Sequence, residues 1–169
     1  MHCHLVAQGI KRQTILNYVY QSLLAVLVLV GILYLLDITT HAAIVAALGA
    51  STFIVFAMPH SVTARPRNVI GGHLVGVLAG VLCSLPLSVL SHPGPLHQGM
   101  LYITLCSLSV GLAILGMVLS DTGHPPAAGT ALGIAAHPWS WRIIAFVLVS
   151  SILLSLAGRM LRPRLRDLV

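Results

Sequence analysis

His124 stands in the stretch DTGHPPAAGTALG at 121–133, where a carboxylate, an imidazole, two prolines and two hydroxyls interrupt strongly apolar sequence. Pro125 and Pro126 suit the non-helical approach and first turn of a helix, because neither position needs an amide donor. That helix is expected over Pro126 to Ala136. The amides near Ala127, Ala128 and Gly129 would lack helical partners and carry partial positive charge. Small side chains would leave them open to a small anion. Thr130 would add a hydroxyl donor, as would Ser51 or Thr52 in a second small-residue stretch, Gly49-Ala-Ser-Thr52. His73, inside another apolar run, and His124 could shuttle a proton or present a switchable cation beside the anion. The plainer alternative is a neutral histidine holding two helices together by a hydrogen bond.

Arg65 and Arg67, in the stretch ARPRN, read as topology markers and also as an electropositive vestibule that concentrates anions. Asn68 is placed to cap the helix that follows. His60, His92, His97 and His137 lie beside turn prolines or in loops, where loop chemistry is the default. Asp121 near His124 is a suggestive pair, but no Ser/His/Asp spacing accompanies it, and Asp121 could equally cap a local turn. Nine histidines raise the question of metal. HxxxH and HExxH are absent and carboxylates are few, so no metal, no cofactor and no enzymatic role is expected. Cys83 and Cys106 sit in apolar runs as small buried thiols, and Cys3 has no CxxC partner. Met1-His-Cys-His4 reads as a loose end rather than a metal clip.

The elements that must position these groups are membrane helices. The 169 residues are 57% hydrophobic and 7% charged, with a mean hydropathy of +0.98. Soluble domains carry about 25% charged residues. The composition excludes an ordinary soluble protein and points to one integral membrane domain. Nine Lys plus Arg against three acids give +6, and they sit at segment ends, which favours membrane orientation over nucleic-acid binding.

The spans expected are 14–36, with Thr14 as its cap, then 42–58, 69–90 and 99–120, a short 126–136, and 141–160. Residues 1–13 form a cytoplasmic start without a cleavable signal, and 161–169 a basic cytoplasmic tail. The loop SHPGPLHQ at 91–98 carries no Lys or Arg. Trp139 and Trp141 would anchor the last span at the interface. Placing Lys11, Arg12, Arg65, Arg67 and the tail arginines inside forces 122–138 to cross the membrane, too short for one full helix at ~1.5 Å per residue. The fold class is therefore all-α, with four long helices and two short or broken ones. The order long, short, long repeats with opposite start, the layout of a 3+3 inverted repeat. Gly72, Gly76 and Gly80 lie near one helix face and could admit a neighbouring backbone, which motivates an expected homo-oligomer.

Two long motifs, GHPPAAGTAL at 123–132 and PHSVTARPRNVIGGHLVGVLAG at 59–80, the latter preceded by GASTFIVFAM at 49–58, resemble the HPP family of integral membrane proteins. The likeness runs from about Leu16 to Leu156. The resemblance implies four membrane spans and, from members in cyanobacteria and chloroplasts, nitrite transport. Nitrite is a small monovalent anion that suits the helix-start site. The expectation is a transporter or channel for a small inorganic anion, with nitrite first, in a bacterial inner membrane, both termini cytoplasmic and no nucleic-acid partner. The alternative is a structural or assembly subunit.

Overall fold

The computed structural model describes residues 12–36, 42–89, 95–137 and 140–169. Expectations for Met1–His4, Lys11, Asp37, His41, His92 and Trp139 lie outside them, as do the side chains of Thr14 and His97. Six helices follow one another: α1 Arg12–Leu36, α2 Ala42–Ala57, α3 Pro66–Val89, α4 Pro95–Leu119, α5 Pro126–Ala135 and α6 Trp141–Leu161. Short 3₁₀ turns occupy Val62–Ala64 and Arg162–Arg164. Among the described residues there is no strand. α1, α3, α4 and α6 are long and apolar enough to cross a membrane. The chain is an integral membrane protein. α2 and α5 have 16 and 10 residues. At 1.5 Å per residue they reach about 24 and 15 Å, short of ~30 Å of hydrocarbon.

Prolines set three helix starts. Pro66, Pro95 and Pro126 each begin a helix, where the missing N–H costs nothing. α3 and α4 therefore start earlier than the expected 69 and 99. Asn68 is not a cap: it lies in the first turn, and its N–H and that of Val69 donate to Arg65 O. Arg65, with extended backbone, holds the cap position. Likewise α1 starts at Arg12, so Thr14 lies inside the helix.

α3 is the hub. It packs against α4, α5 and α6, while α2 packs against α1, α5 and α6. Half of the apolar window is buried in α3 and in α6, against 11% in α1 and 22% in α4, so α1 and α4 present their apolar faces to lipid. Lipid is as apolar as a leucine, so burial from water cannot hold such helices together. Close fit and buried polar contacts must do so. The close fit is at the glycine stripe. A Cβ on Gly72 would stand 2.6 Å from His124 Cβ, one on Gly76 would strike the Ala127 carbonyl, and one on Gly80 would stand 2.7 Å from Ala131 O. The backbone that the stripe admits is α5 of the same chain. The ground on which it suggested a second copy is thereby removed.

The basic tail is docked rather than loose. Gln21, buried in α1, donates from Nε2 to Phe56 O at 2.6 Å and Arg166 O at 2.8 Å, and its Oε1 accepts the Arg166 N–H at 3.0 Å. Leu165 is buried, and the Leu168 N–H donates to Ala57 O at 2.8 Å. The last carbonyls of α2 are satisfied in this way.

One polar group lacks such a partner. Among the described residues, Ser150 Oγ on α6 is a buried side-chain oxygen without a hydrogen bond. Removing an unsatisfied hydroxyl relieves a desolvation penalty. Ser150→Ala should raise the melting temperature of detergent-solubilised protein, by the equivalent of about 1 kcal/mol. An unchanged or lower temperature would show that the hydroxyl is bonded in the protein.

Candidate functional site

The site begins where α4 stops. Asp121 adopts a left-handed conformation, φ 51°. The Thr122 N–H reaches back to Met117 O at 2.9 Å and the Asp121 N–H to Val118 O at 3.3 Å. This pair of bonds is a Schellman cap, with aspartate in the place glycine usually takes. The exposed Asp121 carboxylate turns to Arg67 at 3.2 Å, and Arg67 also donates to Ser120 O at 3.0 Å. Asn68 Nδ2 donates to Gly123 O at 3.1 Å. The start of α3 thus grips the turn on both sides of Thr122 and aims the next residue, His124, into the bundle. The suggested Asp121–His124 pair does not form.

His124 is fully buried, with Nδ1 2.9 Å from Thr63 O and Nε2 2.9 Å from Ser51 Oγ. Ser51 Oγ also lies 2.9 Å from His73 Nε2 and 3.0 Å from Ala47 O, four residues back in α2. His73 Nδ1 lies 2.8 Å from Thr130 Oγ1. The two rings are 5.2 Å apart, inclined at 59°. One side chain each from α2, α3 and α5 therefore meets the His124 turn in a single cluster. None of Ser51, His73, His124 and Thr130 is more than 1% exposed. His73 is seven residues into α3, so the cluster lies about 10 Å from that helix's start.

The other expected site residues are placed as follows. Thr52 is buried but bonds its own helix, donating to Leu48 O at 2.8 Å. The Ala127 and Ala128 amides are not free: they donate to His124 O at 2.9 Å and Pro125 O at 3.1 Å, and Ala127 is wholly buried. The proline-led first turn closes on itself, so the expected ring of open amides is reduced there. Gly129, with Pro125 and Pro126, lines an apolar groove between α2 and α5 rather than the cluster. His60 stands apart, 3.4 Å from Asp167 in an exposed pair.

Arg65 and Arg67 line a cavity of about 390 Å³ together with Arg159 and Arg162 of the α6 end, and no carboxylate lines it. Its wall includes Val55 and Gly158. Val55 is four residues after Ser51 on the same face of α2, so that face carries both a wall of the arginine cavity and a member of the buried cluster. Thr63 O, Ala47 O, Arg159 and Arg162 were not legible as site groups. The first two are backbone acceptors without a residue signature, and the arginines read only as a basic tail.

A profile of the family described as HPP, transmembrane region, matches residues 8–165. Two curated transmembrane proteins of Dictyostelium discoideum are similar to the chain. One is 29% identical over 107 residues, covering 63% of this chain and 35% of the relative. The other is 31% identical over 101 residues, covering 59% and 30%. The chain thus matches about a third of the length of each relative. No solved structure matches it at a significant level.

Proposed function

Since the chain belongs to the HPP transmembrane family, we propose that it carries a small inorganic anion, nitrite first among candidates, across a bacterial inner membrane. The arginine cavity is the observation that carries this reading. Arg65, Arg67, Arg159 and Arg162 line one recess without a lining carboxylate, Arg67 being paired with Asp121 beside it, and the fixed positive charge there would raise the local anion concentration. Arginines at the start of α3 and the end of α6 support a cytoplasmic position for that end by the positive-inside rule. Anion gathered in the cavity would reach the Ser51, His73, His124 and Thr130 cluster along the α2 face that carries Val55 and Ser51. In the conformation described the cluster is sealed, as an occluded stage of a transport cycle would be.

The neighbour relations of the helices support a 3+3 inverted repeat. Exchanging α1 with α4, α2 with α5 and α3 with α6 maps the main packings onto one another: α3 on α5 becomes α6 on α2, and α3 on α4 becomes α6 on α1. α2 against α5 and α3 against α6 map onto themselves. Repeats of this kind place substrate at their interface, which is where Ser51 and Thr130 lie.

The test is nitrite uptake into liposomes holding purified protein, with nitrate, formate and chloride as competitors. Arg65→Gln combined with Arg162→Gln should raise the nitrite KM about tenfold, the loss of roughly 1.4 kcal/mol of anion attraction, and flatten the dependence on ionic strength. If folded wild-type protein moves none of these anions, transport is the wrong reading and an assembly role takes its place.

A further inference from the structure

The hydrogen bonds of the buried cluster have one direction. Thr63 O is a carbonyl and can only accept, so His124 Nδ1 carries a proton. A neutral His124 then has a lone pair on Nε2, and the Ser51 hydroxyl must donate to it. Ser51 Oγ, its proton used, accepts from His73, which places the His73 proton on Nε2. His73 Nδ1 is then an acceptor and takes the Thr130 hydroxyl proton. These four bonds are satisfied with Ser51 turned to His124 rather than to Ala47 O, and the two histidines are opposite tautomers.

We infer that the chain Thr130–His73–Ser51–His124 is a proton relay that couples anion movement to protons. This inference rests on the anion-transport reading above. A proton delivered at the Thr130 end binds His73 Nδ1. His73 gives its Nε2 proton to Ser51 Oγ as Ser51 gives its own to His124 Nε2. The outcome is a neutral His73 protonated on Nδ1, a neutral Ser51, and an imidazolium at His124. One proton has entered and one charge has moved, with no other bond changed. Ala47 O, 3.0 Å from Ser51 Oγ, is a second acceptor to which the hydroxyl can turn while the chain resets. Direction also matches location. His124 hangs from Thr63, whose neighbours Ala64 and Arg65 line the arginine cavity, so the charged end of the relay is the end nearest the gathered anion. One proton with one monovalent anion makes the step electroneutral.

The surroundings leave the two imidazoles as the groups that change charge. The described carboxylates are engaged elsewhere, Asp121 with Arg67 and Asp167 with His60. α2 and α5 contribute the hydroxyls of Ser51 and Thr130. The 3₁₀ turn and the ends of α3 and α6 contribute Arg65, Arg67, Arg159 and Arg162, permanently charged and set around the cavity.

The test measures proton and nitrite movement separately in the same liposomes, with a trapped pH dye and a nitrite assay. About one proton should accompany each nitrite, and an inward acid gradient should accelerate uptake at least tenfold. In Ser51→Ala and His73→Gln the residual uptake should lose that acceleration. Nitrite uptake without proton movement, or variants that keep the full acceleration, would overturn the relay and leave transport standing. Proton conduction without anion flux would remove nitrite transport and with it the coupling, leaving a proton path alone. Neither flux from folded protein removes both. Should the variants fail to fold, ¹⁵N spectra of wild-type protein decide: protonated Nδ1 in His124 and protonated Nε2 in His73 are expected, and the same tautomer in both rings would overturn the assignment.

Discussion

Gly76→Ala should cost about 3 kcal/mol of stability and unseat α5. The added Cβ would strike the Ala127 carbonyl. That atom is backbone, in the first turn of a helix whose approach is held by the Asp121 turn, so no side-chain rotation relieves the clash. Overpacking of a tight interface costs ~1–3 kcal/mol, and more when backbone must shift. Helix propensity returns up to ~1 kcal/mol for Gly to Ala, too little to offset it. Gly49→Ala and Gly111→Ala are the controls. A Cβ at either position meets nothing within 4 Å, so both should be neutral or stabilising. Thermal unfolding in detergent of the three variants checks this. Equal melting temperatures would mean that the α3–α5 interface is looser than described.

Ser51→Ala should be the most damaging small substitution in the polar cluster, at about 2–6 kcal/mol. It removes one oxygen but strands two imidazole nitrogens, His73 Nε2 and His124 Nε2, both fully buried. Each orphaned buried polar group costs ~1–3 kcal/mol. Thr130→Val strands only His73 Nδ1 and should cost about half as much. Because Ser51 and Thr130 both act on His73, the double variant should fall short of the sum of the singles, a coupling of ~0.5–3 kcal/mol in a double-mutant cycle. Strict additivity would show that the hydrogen bonds do not form one network.

Much of this architecture was legible from local signals. Hydropathy and proline placement located all six helices to within about one turn. The errors share a cause. Pro66 and Pro95 fall just before the expected spans 69–90 and 99–120 although each begins a helix, because a proline marks the end of one element and the start of the next equally well. The site was half legible. Ser51, His73, His124 and Thr130 stood out as polar groups in apolar surroundings, which is a default sign of function in a membrane. Their partners did not. Ala127 and Ala128 looked like open anion donors because the proline-led turn that satisfies their amides has no distinct sequence mark.

The sequence by itself determined the solvent this protein lives in, its helices, its short fifth helix and its family. All of these depend on composition and on chemistry within a few residues. Tertiary structure alone decided which polar groups meet, which carbonyl orients the chain of hydrogen bonds, that Arg159 and Arg162 join Arg65 and Arg67, and that the glycine stripe holds α5 and not a second copy. The physical reason is that helices in lipid gain little from hiding apolar surface, so their neighbours are chosen by shape. Shape complementarity between residues 50 or more positions apart has no local signature.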